Sequence, residues 1–356
     1  MRDEKLDIYR GLIMMYIIGF IHTLYWFPNF GTKIKSFFLF EMAVVFFITG
    51  ASYSLSNKKS YAKYIISRIP RILIPYFIFI IFLVFIEYVA NILGTTITYL
   101  SFKEFVISSF NVFKEPSVTL EFITWHLWFI PVYLILVPFI PVMYNLYNAL
   151  GNKFKYIPMI LISCLIVYMH NIDNLKLFKN VIFYAFWIYG GFFYNKLKEI
   201  KISKLLNLTI ITLMSAILIY LISKDQFVMD MQKNKFPPNF IFLIYTIIAF
   251  NLLYILRDYI LNIGKTKYIN RLVNQYSTYG FTLYLYHPFT YLLVRPIYIY
   301  LFDISGNIIY KIIMVLINTV LVIYLNLIFA KVFGKFENIK ILIKGVQNDK
   351  KNLYEI

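Results

Sequence analysis

The sequence is poor in charge, and poorest in acid. Only 15% of its 356 residues are charged, with 17 Asp and Glu against 35 Lys and Arg, where a soluble domain carries about 25%. A chain that is 60% hydrophobic and 20% aromatic cannot hide that much apolar surface in a water-exposed fold, so a polytopic membrane protein is the class that fits. Cysteine is nearly absent. Cys164 stands alone, which excludes an intrachain disulfide and a cysteine-based metal cluster, and its apolar neighbours suggest a small buried hydrophobe. There is no P-loop, no His-Glu-x-x-His, no GxSxG and no GxGxxG. Walker-type phosphoryl transfer, zinc proteolysis and elbow-type serine hydrolysis therefore have no support, and no metal is expected. Histidine is scarce, with four in the chain.

What the chain has in abundance is apolar runs. Spans are expected at 8–27, 37–55, 72–94, 125–147, 156–172, 180–195, 204–222, 238–256, 279–301 and 308–330, most of them about 17–23 residues, the length that crosses a hydrocarbon core. No long soluble domain, low-complexity linker or internal repeat interrupts them. The expected fold is all-α: a membrane helix bundle of about ten transmembrane helices over 1–330, followed by a basic cytoplasmic tail, 331–356. The first run has basic residues before it, as a signal peptide does. It is of spanning length, however, and Pro28 follows without a small-x-small cleavage site, so it is expected to be retained.

The net charge of +18 is spread over short runs between spans, which argues for membrane loops and against a nucleic-acid patch. Segments 1–10, 56–71, 148–155, 196–204, 257–271 and 331–356 hold 24 of the 35 Lys and Arg. These segments alternate on one side of the ten spans, so both termini are expected in the cytoplasm and the bilayer is read as the cytoplasmic membrane. Outside, segment 95–124 places Phe102, Phe105, Phe110 and Phe113 among polar residues, as an interfacial helix does.

Ionisable groups inside spans mark functional sites by default. Arg10 lies at the cytoplasmic edge of the first span, and His22 about 18 Å deeper along the helix. His22 is a candidate general base or proton relay; a histidine packed against a carbonyl is the competing reading. Glu41, about 6 Å inside the outer end of the second span, is a candidate to orient His22 as a triad carboxylate does, or an interfacial glutamate reaching water, the reading preferred for Glu87. In Ser67-Arg68-Ile69-Pro70-Arg71, Pro70 suits a first helical turn and two guanidiniums three apart share a face suited to phosphate; the positive-inside bias alone also accounts for them. Trp125-His126-Leu127-Trp128-Phe129 is an aromatic belt or, through Trp128, a sugar-stacking platform. His287 precedes Pro288, which removes a backbone hydrogen bond and either opens a cavity or merely kinks the helix. His170 is read as solvated.

Taken in order, these islands resemble the acyltransferase family 3 membrane proteins. Leu6-Asp7-Ile8-Tyr9-Arg10-Gly11 with His22 is similar to the family's first helix. Phe40-Glu41-Met42 leading to Phe46-Phe47-Ile48-Thr49-Gly50 is similar to its second, with Ala43 where a Pro is common and Thr49 where a Ser is common. Arg68-Ile69-Pro70-Arg71 with Pro75-Tyr76 resembles its RxxR and downstream PY. Leu127-Trp128-Phe129-Ile130-Pro131, Lys235-Phe236-Pro237-Pro238 and Tyr284-Leu285-Tyr286-His287-Pro288 match further landmarks. The commonest family spacing leaves ten residues between Arg and His, and here there are eleven. Either the Arg10 stem reaches around the helix, or a π-bulge absorbs the extra residue.

The resemblance implies an O-acyltransferase. It would move an acyl group, usually acetyl, from cytoplasmic acyl-CoA to a hydroxyl of a cell-envelope glycan or glycolipid. It places Arg10, Arg68 and Arg71 on the CoA side and His22 in catalysis; on the residues themselves, Glu41 is expected to act with His22, and Trp128 and His287 to bind the substrate. Two readings compete: a transporter or flippase for a lipid-linked glycan or small solute, which ten helices also fit, and a non-enzymatic membrane assembly protein.

Overall fold

The computed structural model describes residues 3–26, 32–56, 60–94, 101–113, 121–172, 174–199, 203–224, 228–302 and 308–337. Lys58 and Lys59, and the tail beyond 337, lie outside them. The described chain is helical without strands: α1 (Glu4–Trp26), α2 (Lys33–Leu55), α3 (Tyr61–Ile92), α4 (Phe102–Phe110), α5 (Trp125–Ala149), α6 (Ile157–Asn171), α7 (Lys176–Gly191), α8 (Lys204–Ser223), α9 (Phe240–Ile255), α10 (Arg257–Lys265), α11 (Lys267–Thr278), α12 (Gly280–Phe302) and α13 (Ile308–Glu337).

Among the described residues six helices, α1, α2, α3, α5, α8 and α13, are long and apolar enough to cross a membrane. α9 and α10, bent by 62° at their junction, make a seventh if taken as one span. The sequence suggested ten. α6 is too short to pass. α7 is 16 residues, and every residue from Phe183 to Gly191 is buried, so its apolarity meets protein rather than lipid. α12 has 23 residues, but tyrosines, His287, Arg295 and two prolines dilute its hydropathy. Large apolar side chains such as Ile81, Phe85, Ile92, Leu205 and Leu316 stand exposed, as they do where hydrocarbon is the solvent. Cys164 also faces outward, not into the core as its neighbours suggested.

The chain divides into two compact units. The first comprises Met1–Ile17, Leu24–Lys58 and Pro138–Ser277. Asp3 caps α1 by accepting from the Leu6 N–H at 3.1 Å and pairs with Lys198 at 2.8 Å. Ile8, Leu261 and Val273 join α1, α10 and α11 in one apolar cluster. The basic segment 257–271 is therefore helical, with Tyr259 and Tyr268 on its exposed side. α2 breaks at a turn over residues 37–40. An unsatisfied carbonyl is costly in a bilayer, and two are satisfied here: Tyr16 Oη donates to the Phe38 carbonyl at 3.0 Å and Tyr245 Oη to that of Phe37.

Beyond the turn, α2 lies directly on α7. A methyl added at Gly50 would strike the Ile188 carbonyl, and one added at Gly191 would strike the Phe47 carbonyl. Small residues at such a crossing let helix backbones touch. Gly50→Leu is expected to cost about 1–3 kcal/mol or more by overpacking. A wild-type melting temperature for that variant in detergent would contradict this packing.

The second unit comprises Ile18–Thr23, Lys59–Val137 and Thr278–Ile356. Phe79, Phe82, Tyr286, Phe329 and Phe333 pack together, with Tyr286 stacked on Phe333 at 4.3 Å. The buried Glu337 carboxylate accepts from the backbone N–H and hydroxyl of Thr282, each at 2.9 Å. It thereby fills the positive N-terminus of α12. Asn326 donates to the Leu283 carbonyl at 3.0 Å, a second tie between α13 and α12.

Candidate active site

The π-bulge is present. A π-helix runs over Tyr16–Ile21, between Arg10 and His22, and such a turn accommodates one extra residue inside an α-helix. Its loosened backbone is held by side chains. Tyr291 Oη donates to the Ile18 carbonyl, and Thr23 Oγ1 donates to the Gly19 carbonyl while lying 2.9 Å from Tyr291 Oη. His22 follows immediately and is buried.

His22 meets His287. The two rings stack with centroids 4.5 Å apart, and His22 Nδ1 lies 2.6 Å from His287 Nε2. The other nitrogen of His287, Nδ1, lies 2.5 Å from the Tyr284 carbonyl. Trp125 stands edge-on to His22 at 4.6 Å. His126, fully buried, packs its ring 4.8 Å from that of His287 and accepts the Tyr284 hydroxyl on its carbonyl at 2.8 Å. His287 was expected to serve the acceptor; its two ring nitrogens meet His22 and the Tyr284 carbonyl. Trp128 is half-buried in the same 3₁₀ turn as Trp125. Among the described residues no group of three or more His, Cys, Asp or Glu has the geometry to hold a metal.

The same unit carries Arg68 and Arg71. Pro70 opens a helix as expected, with Arg71 in its first turn, and a shorter helix over Tyr61–Arg68 precedes it, so the two arginines flank the junction. Arg68 lies over the Tyr64 ring at 5.9 Å. Arg71 is exposed, and its charge reaches Glu337. Glu87 is buried rather than interfacial, with Asn91 donating to its Oε1 at 3.2 Å.

In the first unit Glu41 is also buried rather than reaching water. It pairs with buried Lys235 through Oε1, while Oε2 has no hydrogen-bond partner among the described residues. Glu41 opens the second half of α2, where the helix dipole favours a carboxylate. Arg10 donates to Asp7 at 2.5 Å and to Ser52 Oγ at 2.8 Å. Sequence reasoning assigned no role to Lys235, His126, Tyr284 or Tyr291. Lys235 and Tyr284 stand in family-like motifs and His126 in the Trp125–Phe129 aromatic stretch, but nothing in those stretches says which distant residue each one touches.

A helical membrane chain that buries a hydrogen-bonded pair of imidazoles has the means for base chemistry within a bilayer. The chain belongs to the acyltransferase 3 family: the model of the family's acyltransferase domain matches residues 3–328. No curated protein and no solved structure matches it.

Proposed function

We propose that this membrane acyltransferase takes an acyl group, acetyl in the simplest case, from cytoplasmic acyl-CoA and passes it to a hydroxyl of a cell-envelope glycan or glycolipid. The observation that carries the reading is the burial of His22 against His287 in a chain of this family. The acceptor hydroxyl oxygen attacks the thioester carbonyl, the new C–O bond forms, and the C–S bond breaks. His22 takes the hydroxyl proton and returns one to the departing CoA thiolate. Arg68 and Arg71 hold CoA phosphates, Arg10 supports the same side, and Trp128 offers a stacking face to the acceptor. The enzyme would work in the cytoplasmic membrane with both termini inside.

Incubating the purified chain in nanodiscs with labelled acetyl-CoA and cell-envelope glycans should yield labelled glycan. Binding or movement of glycan without label transfer would favour a transporter. In the Arg68→Ala/Arg71→Ala protein the acyl-CoA requirement should rise, by about tenfold or more for two lost charge-assisted contacts. Arg→Lys should rescue only in part, since the bidentate fork is lost. Unchanged donor affinity in the folded double variant would return these arginines to simple loop charge. For topology, single cysteines at 110 and 230, introduced into a Cys164→Ser background, should label from outside, and those at 60 and 345 only after permeabilisation. Labelling of residue 60 from outside would invert the orientation.

A further inference from the structure

We propose that His287 is a positioning residue that sets the tautomer of His22, so that Nδ1 of His22 carries the hydrogen and Nε2 carries the lone pair. The catalytic consequence rests on the acyl-transfer reading above; the tautomer does not.

The relay starts at Pro288. Proline has no N–H, so the carbonyl four residues earlier, that of Tyr284, loses its helical donor. His287 Nδ1 lies 2.5 Å from that carbonyl. A carbonyl oxygen only accepts, so His287 Nδ1 carries a hydrogen. In a neutral imidazole the other nitrogen then holds a lone pair. That nitrogen, Nε2, lies 2.6 Å from His22 Nδ1. Two lone pairs do not bond, so His22 Nδ1 must donate, and the basic lone pair of His22 resides on Nε2. The opposite arrangement needs a doubly protonated His287. That ring is fully buried among the rings of His22, Trp125, His126, Tyr284 and Tyr291, where an unpaired cation is expensive.

Both ends of the relay are fixed. Tyr284, which supplies the terminal carbonyl, is anchored through its hydroxyl to the His126 backbone at 2.8 Å. The backbone before His22 is pinned by Tyr291 at the Ile18 carbonyl. The arrangement does for His22 what a buried carboxylate does in a serine triad: it selects the tautomer and holds the ring. It does so without a charge. When Nε2 of His22 takes a proton, the hydrogen on Nδ1 points at a lone pair of His287, and the new charge is shared along the relay to the Tyr284 carbonyl.

The test is ¹⁵N NMR of the full chain in nanodiscs with labelled histidine, the His22 signals being assigned by their loss in His22→Gln. We expect the bonded hydrogen on Nδ1 of His22 in the wild type. In His287→Phe it should move to Nε2. In His287→Gln, whose side-chain carbonyl is an acceptor at similar reach, it should stay largely on Nδ1. A wild-type His22 with hydrogen on Nε2 overturns the proposal even if no variant folds. In acyl transfer, His287→Phe should lower kcat by about 10²–10⁴-fold, the range seen when a base is lost or held in the wrong tautomer. KM for acyl-CoA should hardly change, and His287→Gln should recover much of the loss. A folded His287→Phe protein with wild-type kcat overturns the positioning role. If the wild type shows Nδ1–H on His22 but transfers no label, the tautomer assignment is supported and the acyl-transfer reading fails instead.

Discussion

His22→Ala and His22→Gln are expected to bind acyl-CoA and to lose about 10²–10⁴-fold of the transfer rate, the usual contribution of a general base. Either change removes the imidazole that sits behind the π-turn, stacked on His287 and edge-on to Trp125. Neither touches Arg10, Arg68 or Arg71, so donor binding should survive. The measurement is single-turnover transfer of labelled acetyl by purified protein in nanodiscs, with acyl-CoA affinity determined separately. The Gln variant matters because it keeps a polar side chain in a buried site and so separates loss of a base from loss of packing. Turnover near the wild-type rate in either variant would remove His22 from catalysis and strengthen the transporter reading.

The second large effect concerns Glu41 and Lys235. Both are buried, each is the other's ionic partner, and the pair joins segments 194 residues apart in sequence. Breaking such a pair from one side strands a charge in a low-dielectric interior, at about 3–5 kcal/mol. Lys235→Met should therefore destabilise the first unit severely, and Glu41→Gln should do so as well. The double variant should recover most of the loss, because two neutral side chains of similar volume leave no uncompensated charge. Thermal unfolding in detergent of the two single variants and the double variant reads this directly. Additive losses in the double variant would show that the residues do not act as a pair. Activity adds a second comparison. If Glu41 contributes to transfer as well as to packing, the stable double variant will remain slow.

Much of the site was legible in the chain itself. His22 stood out because an imidazole inside an apolar run is expensive and seldom accidental. Arg68 and Arg71 stood out by their spacing beside Pro70. The eleven-residue gap between Arg10 and His22 left two possibilities, and the π-helix over Tyr16–Ile21 selects one. Pro288 was legible as a missing donor, but not as the cause of an acceptor that His287 would fill. The span count was less legible. α7 reads as a membrane helix by composition, but its 16 residues fall short of a full span and its Phe183–Gly191 stretch is packed in protein. Hydropathy measures aversion to water and does not distinguish lipid from a protein interior.

The sequence by itself determined the class of protein, its family and the identity of the candidate base. These depend on local quantities: run length, charge between runs, and ordered short motifs. Only the tertiary structure decided the partners. His287 meets His22 across 265 residues, and Lys235 meets Glu41 across 194. Glu41 looked like the carboxylate for His22 because adjacent helices and similar depth suggested it, and Lys235 holds it. Helical periodicity says which face a side chain occupies, but not which helix is packed against that face. That is set by the close approach of α2 and α7 at Gly50 and Gly191, by the broken turn in α2, and by the carbonyl that Pro288 leaves for His287.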